Sequence, residues 1–194
     1  ALSACAAQEK ATKVFLGHTR DDQAESVLLG LARGSGTRSL SGMSVENGIY
    51  LRPLLQITRE ETVAACSELG IEPWNDPHNG NTDFSRVRVR KEVLPVMEEK
   101  LGPGISAALA RSAGILRDDA DALDEIAQSE ISVSDLANLD CEHLSTLSRA
   151  IRSRVLRAAL YAAGAPSGSI TADHLAGVEA LVTSWHGQGA LSLP

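Results

Sequence analysis

Residues 17–25 read Gly-His-Thr-Arg-Asp-Asp-Gln-Ala-Glu and bring one imidazole, His18, within nine positions of three carboxylates, Asp21, Asp22 and Glu25. On a helix, Asp22 and Glu25 would share a face, because side chains three apart are neighbours there. Carboxylates held together in this way can bind Mg²⁺, which prefers hard oxygen ligands, or an amine. His18 could touch a phosphate or shuttle a proton. A competing account makes Asp21 or Asp22 an ordinary N-cap and Glu25 first-turn decoration, since acidic residues suit the positive end of a helix. The residues alone leave both open.

The second concentration of chemistry is Arg86-Val87-Arg88-Val89-Arg90-Lys91, which holds four of the chain's eighteen basic residues. A strand would align Arg86, Arg88 and Arg90, whereas a helix would align Arg86 and Arg90 only. Asp83 upstream as a cap, and the apolar Val93, Leu94, Val96 and Met97 beyond, favour the helix. Arginine forks bidentately onto phosphates, although a charge run can equally be a solvated face. Arg33-Gly34-Ser35-Gly36-Thr37-Arg38 has two readings as well. Glycine after a last helical turn is a terminator, while Arg33 and Arg38 beside it could contact phosphate.

These groups need elements to hold them. Lys13–Gly17 reads as a short buried strand and Asp21–Ala32 as a helix, with Ala24, Val27, Leu28 and Leu31 on its apolar face. Open α/β sheets bind ligands at such strand-to-helix turns. Ile49–Leu55 reads as a strand leaving the sheet, and Thr58 with Glu61 is a capping-box start for a helix Arg59–Leu69 that Gly70 stops. The run Asn75–Asn81 is dense in turn formers, and Trp74 before it reads as core packing rather than a base-stacking platform. Beyond Gly102-Pro103-Gly104 the composition turns to alanine, leucine and charge without strand alternation, which sets a domain boundary there. Helices are expected over Ile105–Ser129, Cys141–Ala163 and Ala172–Trp185, the second with an exposed basic stripe of Arg149, Arg152, Arg154 and Arg157, or with ordinary surface charge.

A chain of 194 residues with 43% hydrophobic content suits one domain and a smaller partner, and its net charge of −7 argues against indiscriminate nucleic-acid binding. Cys5, Cys66 and Cys141 are dispersed and form no CxxC pair, which points away from a disulfide framework or a zinc site and toward a reducing cytoplasm. No apolar run approaches the roughly 18 residues that a membrane-spanning helix needs.

The motif Gly-His-x-x-Asp-Asp-Gln-Ala-Glu, the Arg-Gly-Ser-Gly loop, Arg52-Pro53-Leu54-Leu55, and Asp76-Pro77-x-Asn79 followed by Phe84-x-Arg86 and Arg90 resemble, in order and interval, the tRNA(Ile)-lysidine synthetase family of PP-loop enzymes. The likeness covers nearly the whole chain and is strongest from Val14 to about Ala113. It implies an α/β fold, a partial Rossmann-like PP-loop domain over 1–102, followed by an all-helical tRNA-binding segment over 103–194. It also implies an activity: ATP adenylates the C2 carbonyl oxygen of the wobble cytidine of tRNA(Ile), with its CAU anticodon, and the ε-amine of free lysine then displaces AMP to give lysidine. By motif match, Gly17, His18 and Asp22 would lie at the nucleotide and the reacting base, Glu25 would hold lysine, and Asp22 is a candidate Mg²⁺ ligand. Arg86 would act beside them, with Asp21, Arg33, Arg38, Arg90 and Arg152 toward substrate or RNA. A homodimer is left open.

The family's Ser-Gly-Gly-x-Asp-Ser loop occurs nowhere in these residues, and Ala1–Ala7 reads as a helix interior without a cap. The expectation is therefore of a fragment, inactive by itself, that stops inside its next element. His78, Asn81 and Val87 depart from residues common in the family. The alternatives are a tRNA thiolase of the same superfamily, for which the cysteines are poorly placed, and a non-catalytic RNA-binding module.

Overall fold

A computed structural model describes every residue except Ser35 and Ser167. It divides into two compact units, Ala1–Asp118 and Asp119–Pro194.

In the first unit, helix α1 (Leu2–Gln8) precedes strand β1 (Val14–Phe15), which leads into α2 (Arg20–Ala32) and the short α3 (Thr37–Leu40). A hairpin of β2 (Glu46–Asn47) and β3 (Tyr50–Leu51) follows. The sheet order is β1-β3-β2, with β1 parallel to β3 and β2 antiparallel to it. Gly48 makes the hairpin's two-residue turn practicable, because its φ of 60° falls where a side chain would be strained. The strand expected over Ile49–Leu55 is paired only at Tyr50–Leu51. Beyond Arg52 the backbone turns, with Leu55 N–H donating to the Arg52 carbonyl at 3.4 Å. Pro53, lacking an N–H, cannot continue a ladder.

Helix α4 (Arg59–Glu68) opens on Thr58, whose hydroxyl accepts from Glu61 N–H at 3.0 Å, and Gly70 follows its C-cap at a φ of 65°. A 3₁₀ turn (Pro77–Gly80) begins on Asp76. Helix α5 (Ser85–Arg88) then runs through a wider π turn (Val89–Val93) into α6 (Leu94–Leu101). The helical preference for Arg86–Lys91 is met. Asp83 is not the cap, however; that position belongs to Phe84. Helix α7 (Ile105–Val133) follows, and the division between units falls inside it.

The first unit's core joins Ala24 of α2, Val89 and Leu94, with Leu28, Leu29, Ile105 and Leu109 packed around them. The face of α2 that is buried is Gln23, Ala24, Glu25, Val27 and Gly30; Leu31 is 52% exposed. The apolar stripe was thus misjudged by a partial turn, because two polar side chains, Gln23 and Glu25, find buried partners. Trp74 is 80% exposed, so it is not core packing.

In the second unit, α8 (Cys141–Thr146) and α9 (Arg149–Ala162) replace the single helix expected from Cys141 to Ala163, and α10 (Ala172–Thr183) follows. Leu147 and Ser148 interrupt that helix with extended ψ values. Ala127, Leu144, Ile151, Val155, Leu156, Ile170 and Leu175 form this unit's core.

Candidate active site at the start of helix α2

Thr19, not an aspartate, is the N-cap of α2. Asp22 at the third helical position closes a capping box, its Oδ2 accepting from Thr19 N–H at 2.8 Å and from the Thr19 hydroxyl at 2.9 Å. The ordinary account of an acidic helix start is therefore part of the truth. Asp22 also does more: its Oδ1 accepts from Arg59 Nη2 at 3.0 Å and lies 3.4 Å from Arg90 Nη2.

Glu25, one turn on, is completely buried. Arg90 grips it with both arms of its fork, Nε to Oε1 at 2.6 Å and Nη2 to Oε2 at 3.0 Å. Arg59 Nη1 lies 3.7 Å from Oε1, and Arg86 Nε 3.9 Å from Oε2. Asp22 and Glu25 thus share a face, as their spacing requires, and the helical phase of α5 and the π turn brings Arg86 and Arg90 to the same carboxylate. Asp21 faces α4, where its Oδ2 accepts from Arg59 N–H at 2.7 Å.

Charge settles the protonation states. Burial alone would raise the pKa of Asp22, but hydrogen bonds from Thr19 and the charges of Arg59 and Arg90 outweigh it and hold the carboxyl below its ordinary value. Arg90 is held protonated more firmly still by its hydrogen bonds to Glu25. Desolvation lowers the pKa of His18 against the pull of Asp22, with Arg52 and Arg86 adding to the lowering, so the ring is neutral at pH 7. Among the described residues, Nδ1 of His18 and Nε of Arg52 are buried without a hydrogen-bond partner. Such groups are costly unless something polar meets them, and that fits a site for a polar substrate.

The structure does not fit Mg²⁺ at Asp22. An ionised carboxylate offers about four lone-pair positions, and Thr19 and the two guanidiniums fill them. Among the described residues no group of three or more His, Cys, Asp or Glu side chains could hold a metal ion. Glu25 accepts two hydrogen bonds, both from Arg90, with Arg59 and Arg86 standing at 3.7 and 3.9 Å.

The other expected residues are scattered. Gly17 is open, with nothing near the position of a Cβ, so it forms no close cradle. Arg33 is the C-cap of α2, about 16 Å along the helix from Asp22 at 1.5 Å per residue. Gly34 follows it at a φ of 64°, which supports helix termination, and Arg38 is exposed on α3. Ser35, in the middle of that loop, lies outside the described residues. Arg152 belongs to the second unit and is 12% exposed, its fork on Glu179 at 2.8 and 3.0 Å, so it is not part of an exposed stripe.

Sequence reasoning missed Arg59, which was counted only as the first residue of its helix. It also passed over Gln23, whose side-chain amide donates to the Met43 carbonyl at 3.0 Å and accepts from Met43 N–H at 2.7 Å. Gln23 lay inside the Gly17–Glu25 motif already quoted, and Arg59 lay just beyond Arg52-Pro53-Leu54-Leu55, seven positions after Arg52.

The PP-loop domain family matches residues 1–97, half of the chain, and a TilS substrate binding domain matches residues 139–194. The chain belongs to the PP-loop family. It is 52% identical to a tRNA(Ile)-lysidine synthase of Thermobifida fusca over 197 aligned residues, which cover 100% of this chain and 60% of that protein. A tRNA(Ile)-lysidine synthase of Streptomyces coelicolor is 51% identical over 100% of this chain and 56% of its own length. One from Rhodococcus erythropolis is 50% identical over 93% of this chain and 55% of its length. The resemblance read from the motifs is the one these relatives carry, and the chain spans about 60% of the length of the first.

Proposed function

We propose that the protein to which this chain belongs ligates free lysine to C2 of the wobble cytidine of tRNA(Ile) with the CAU anticodon. In the first step the C2 carbonyl oxygen attacks the α-phosphorus of ATP and pyrophosphate leaves. In the second the lysine ε-amine attacks C2, the bond to the adenylate oxygen breaks, AMP leaves and a proton is lost to water or a base. Residues 1–102 would belong to the catalytic domain and 103–194 to the part that binds tRNA, in a cytoplasmic enzyme.

The observation that carries this reading is the convergence, inside the stretch matched as a PP-loop domain, of His18, Asp22 and Glu25 with Arg59, Arg86 and Arg90. Neutral His18 lacks a partner at its buried Nδ1, which supports reading it as a contact of the nucleotide or the reacting base. Arg86, its side chain 42% exposed, can offset phosphate charge as it builds in the transition state. Asp22 fixes the turn and, with Glu25, sets the guanidiniums' positions. Asp22, with its lone pairs occupied, is left out of any metal role.

The test is ATP-dependent transfer of labelled lysine into bulk tRNA by the full-length protein. Incorporation that vanishes in Glu25→Ala supports the reading. No incorporation by a folded protein that binds ATP overturns it in favour of another tRNA modification. Arg86→Ala should weaken tRNA binding and lower the slope of log affinity against log salt by about one.

A further inference from the structure

We propose that Arg59 is the resident cation of the Asp22–Glu25 carboxylate pair, and that the ammonium of the amine substrate, lysine on the reading above, enters by taking the place of its guanidinium. The inference rests on that reading of the amine site and concerns a different residue from those the motifs single out.

The charges constrain what can enter. Asp21, Asp22 and Glu25 supply three carboxylates, and Arg90, Arg59 and Arg86 already match them, Arg86 at the margin, 3.9 Å from Glu25. A further cation in this partly desolvated space would be uncompensated, and burying an unmatched charge is expensive. One guanidinium must therefore move out for an ammonium to move in. Arg90 is the wrong candidate: it makes the bidentate grip on Glu25 and is 23% exposed. Arg86 is also held elsewhere, donating to Ser26 Oγ at 3.2 Å.

Arg59 differs on each count. Its head group makes one hydrogen bond among the described residues, to Asp22 at 3.0 Å, and stands 3.7 Å from Glu25, with the side chain 35% exposed. Its backbone is anchored without the guanidinium, by the bond from its N–H to Asp21 and by the Thr58–Glu61 capping box, where Thr58 N–H and hydroxyl each donate to Glu61 at 2.7 Å. The side chain can swing out while α4 stays in place. An ammonium is compact and carries three donors, so one group can reach both carboxylates from the vacated position.

The test uses the full-length protein and follows KM for lysine and for ATP separately. Arg59→Gln should lower the lysine KM about two- to fivefold, the scale of one partly exposed ion pair. In that variant methylguanidinium should compete with lysine, because it refills the position, and should compete less in the wild type. Arg59→Lys, which restores a cation at the same anchor, should return the lysine KM toward the wild-type value and keeps the proposal testable if the Gln variant folds poorly. A lysine KM that is unchanged or raised in Arg59→Gln overturns the proposal, as does a change confined to the ATP KM, which would make Arg59 a phosphate ligand. Failure of the wild type to incorporate lysine is a separate result and strikes the functional reading instead.

Discussion

Each unit of this chain buries a glutamate under arginines, and only one of the two arrangements leaves chemistry unfinished. In the second unit, Glu179 on α10 receives Arg152 at 2.8 and 3.0 Å and Arg149 at 3.1 Å. Arg152 turns its Nη1 to the carbonyls at the end of α8, that of Leu147 at 2.8 Å and that of Leu144 at 3.4 Å. Around Glu25 the guanidiniums come from α4, α5 and the π turn, parts of Arg59 and Arg86 stay in solvent, and buried nitrogens of His18 and Arg52 lack partners. A buried Arg–Glu pair is therefore no mark of function in itself. What distinguishes the first is the pair of buried nitrogens, His18 Nδ1 and Arg52 Nε, that the described residues leave without partners.

The comparison can be broken most sharply by removing each glutamate. Glu25→Ala leaves the half-buried Arg90 without its bidentate partner and should cost about 3–5 kcal/mol in chemical denaturation, with loss of lysine transfer even where the protein remains folded. Glu179→Gln should cost less, about 3 kcal/mol, since Arg149 is 78% exposed and Arg152 keeps its carbonyls. Its residual activity should follow the folded fraction, with KM values unmoved. Equal effects on KM from both variants would erase the distinction drawn here.

Acid titration sharpens the same contrast. Asp22 has a folded-state pKa below the ordinary carboxylate value, so the unfolded chain takes up its proton first as pH falls. The stability it contributes is present above about pH 4 and is lost as pH drops through the folded value. Asp22→Asn should remove that part of the acid dependence from urea midpoints measured across pH 2–5, while barely changing tRNA affinity. The smallest effect belongs to Arg149→Ala, about 0.2–1 kcal/mol or less, because a largely exposed ion pair is screened by water.

Much of this was legible in the residues. The strand-to-helix turn, the capping box at Thr58 and the shared face of Asp22 and Glu25 follow from local rules that the chain obeys. The pairing of Arg86 and Arg90 across one helical turn came from the same source. What was not legible depended on partners distant in sequence. Glu25 reads as an exposed first-turn acid until Arg90, sixty-five positions later, neutralises it and lets it be buried. Arg152 reads as surface charge until Glu179 arrives from another helix. Trp74 shows the opposite failure, since large apolar residues are usually buried and this one is not.

The Gln23 clamp carries a consequence for how this chain can change. Gly42, at a φ of 59°, passes so close to that amide that an added Cβ would stand 2.6 Å from Gln23 Oε1. A side chain at 42 would press on the flexible end of Gln23 and push its amide off Met43. Drift in an outlying loop thus bears on the helix that carries Asp22 and Glu25, and lineages that alter position 42 should be found to have altered position 23 with it.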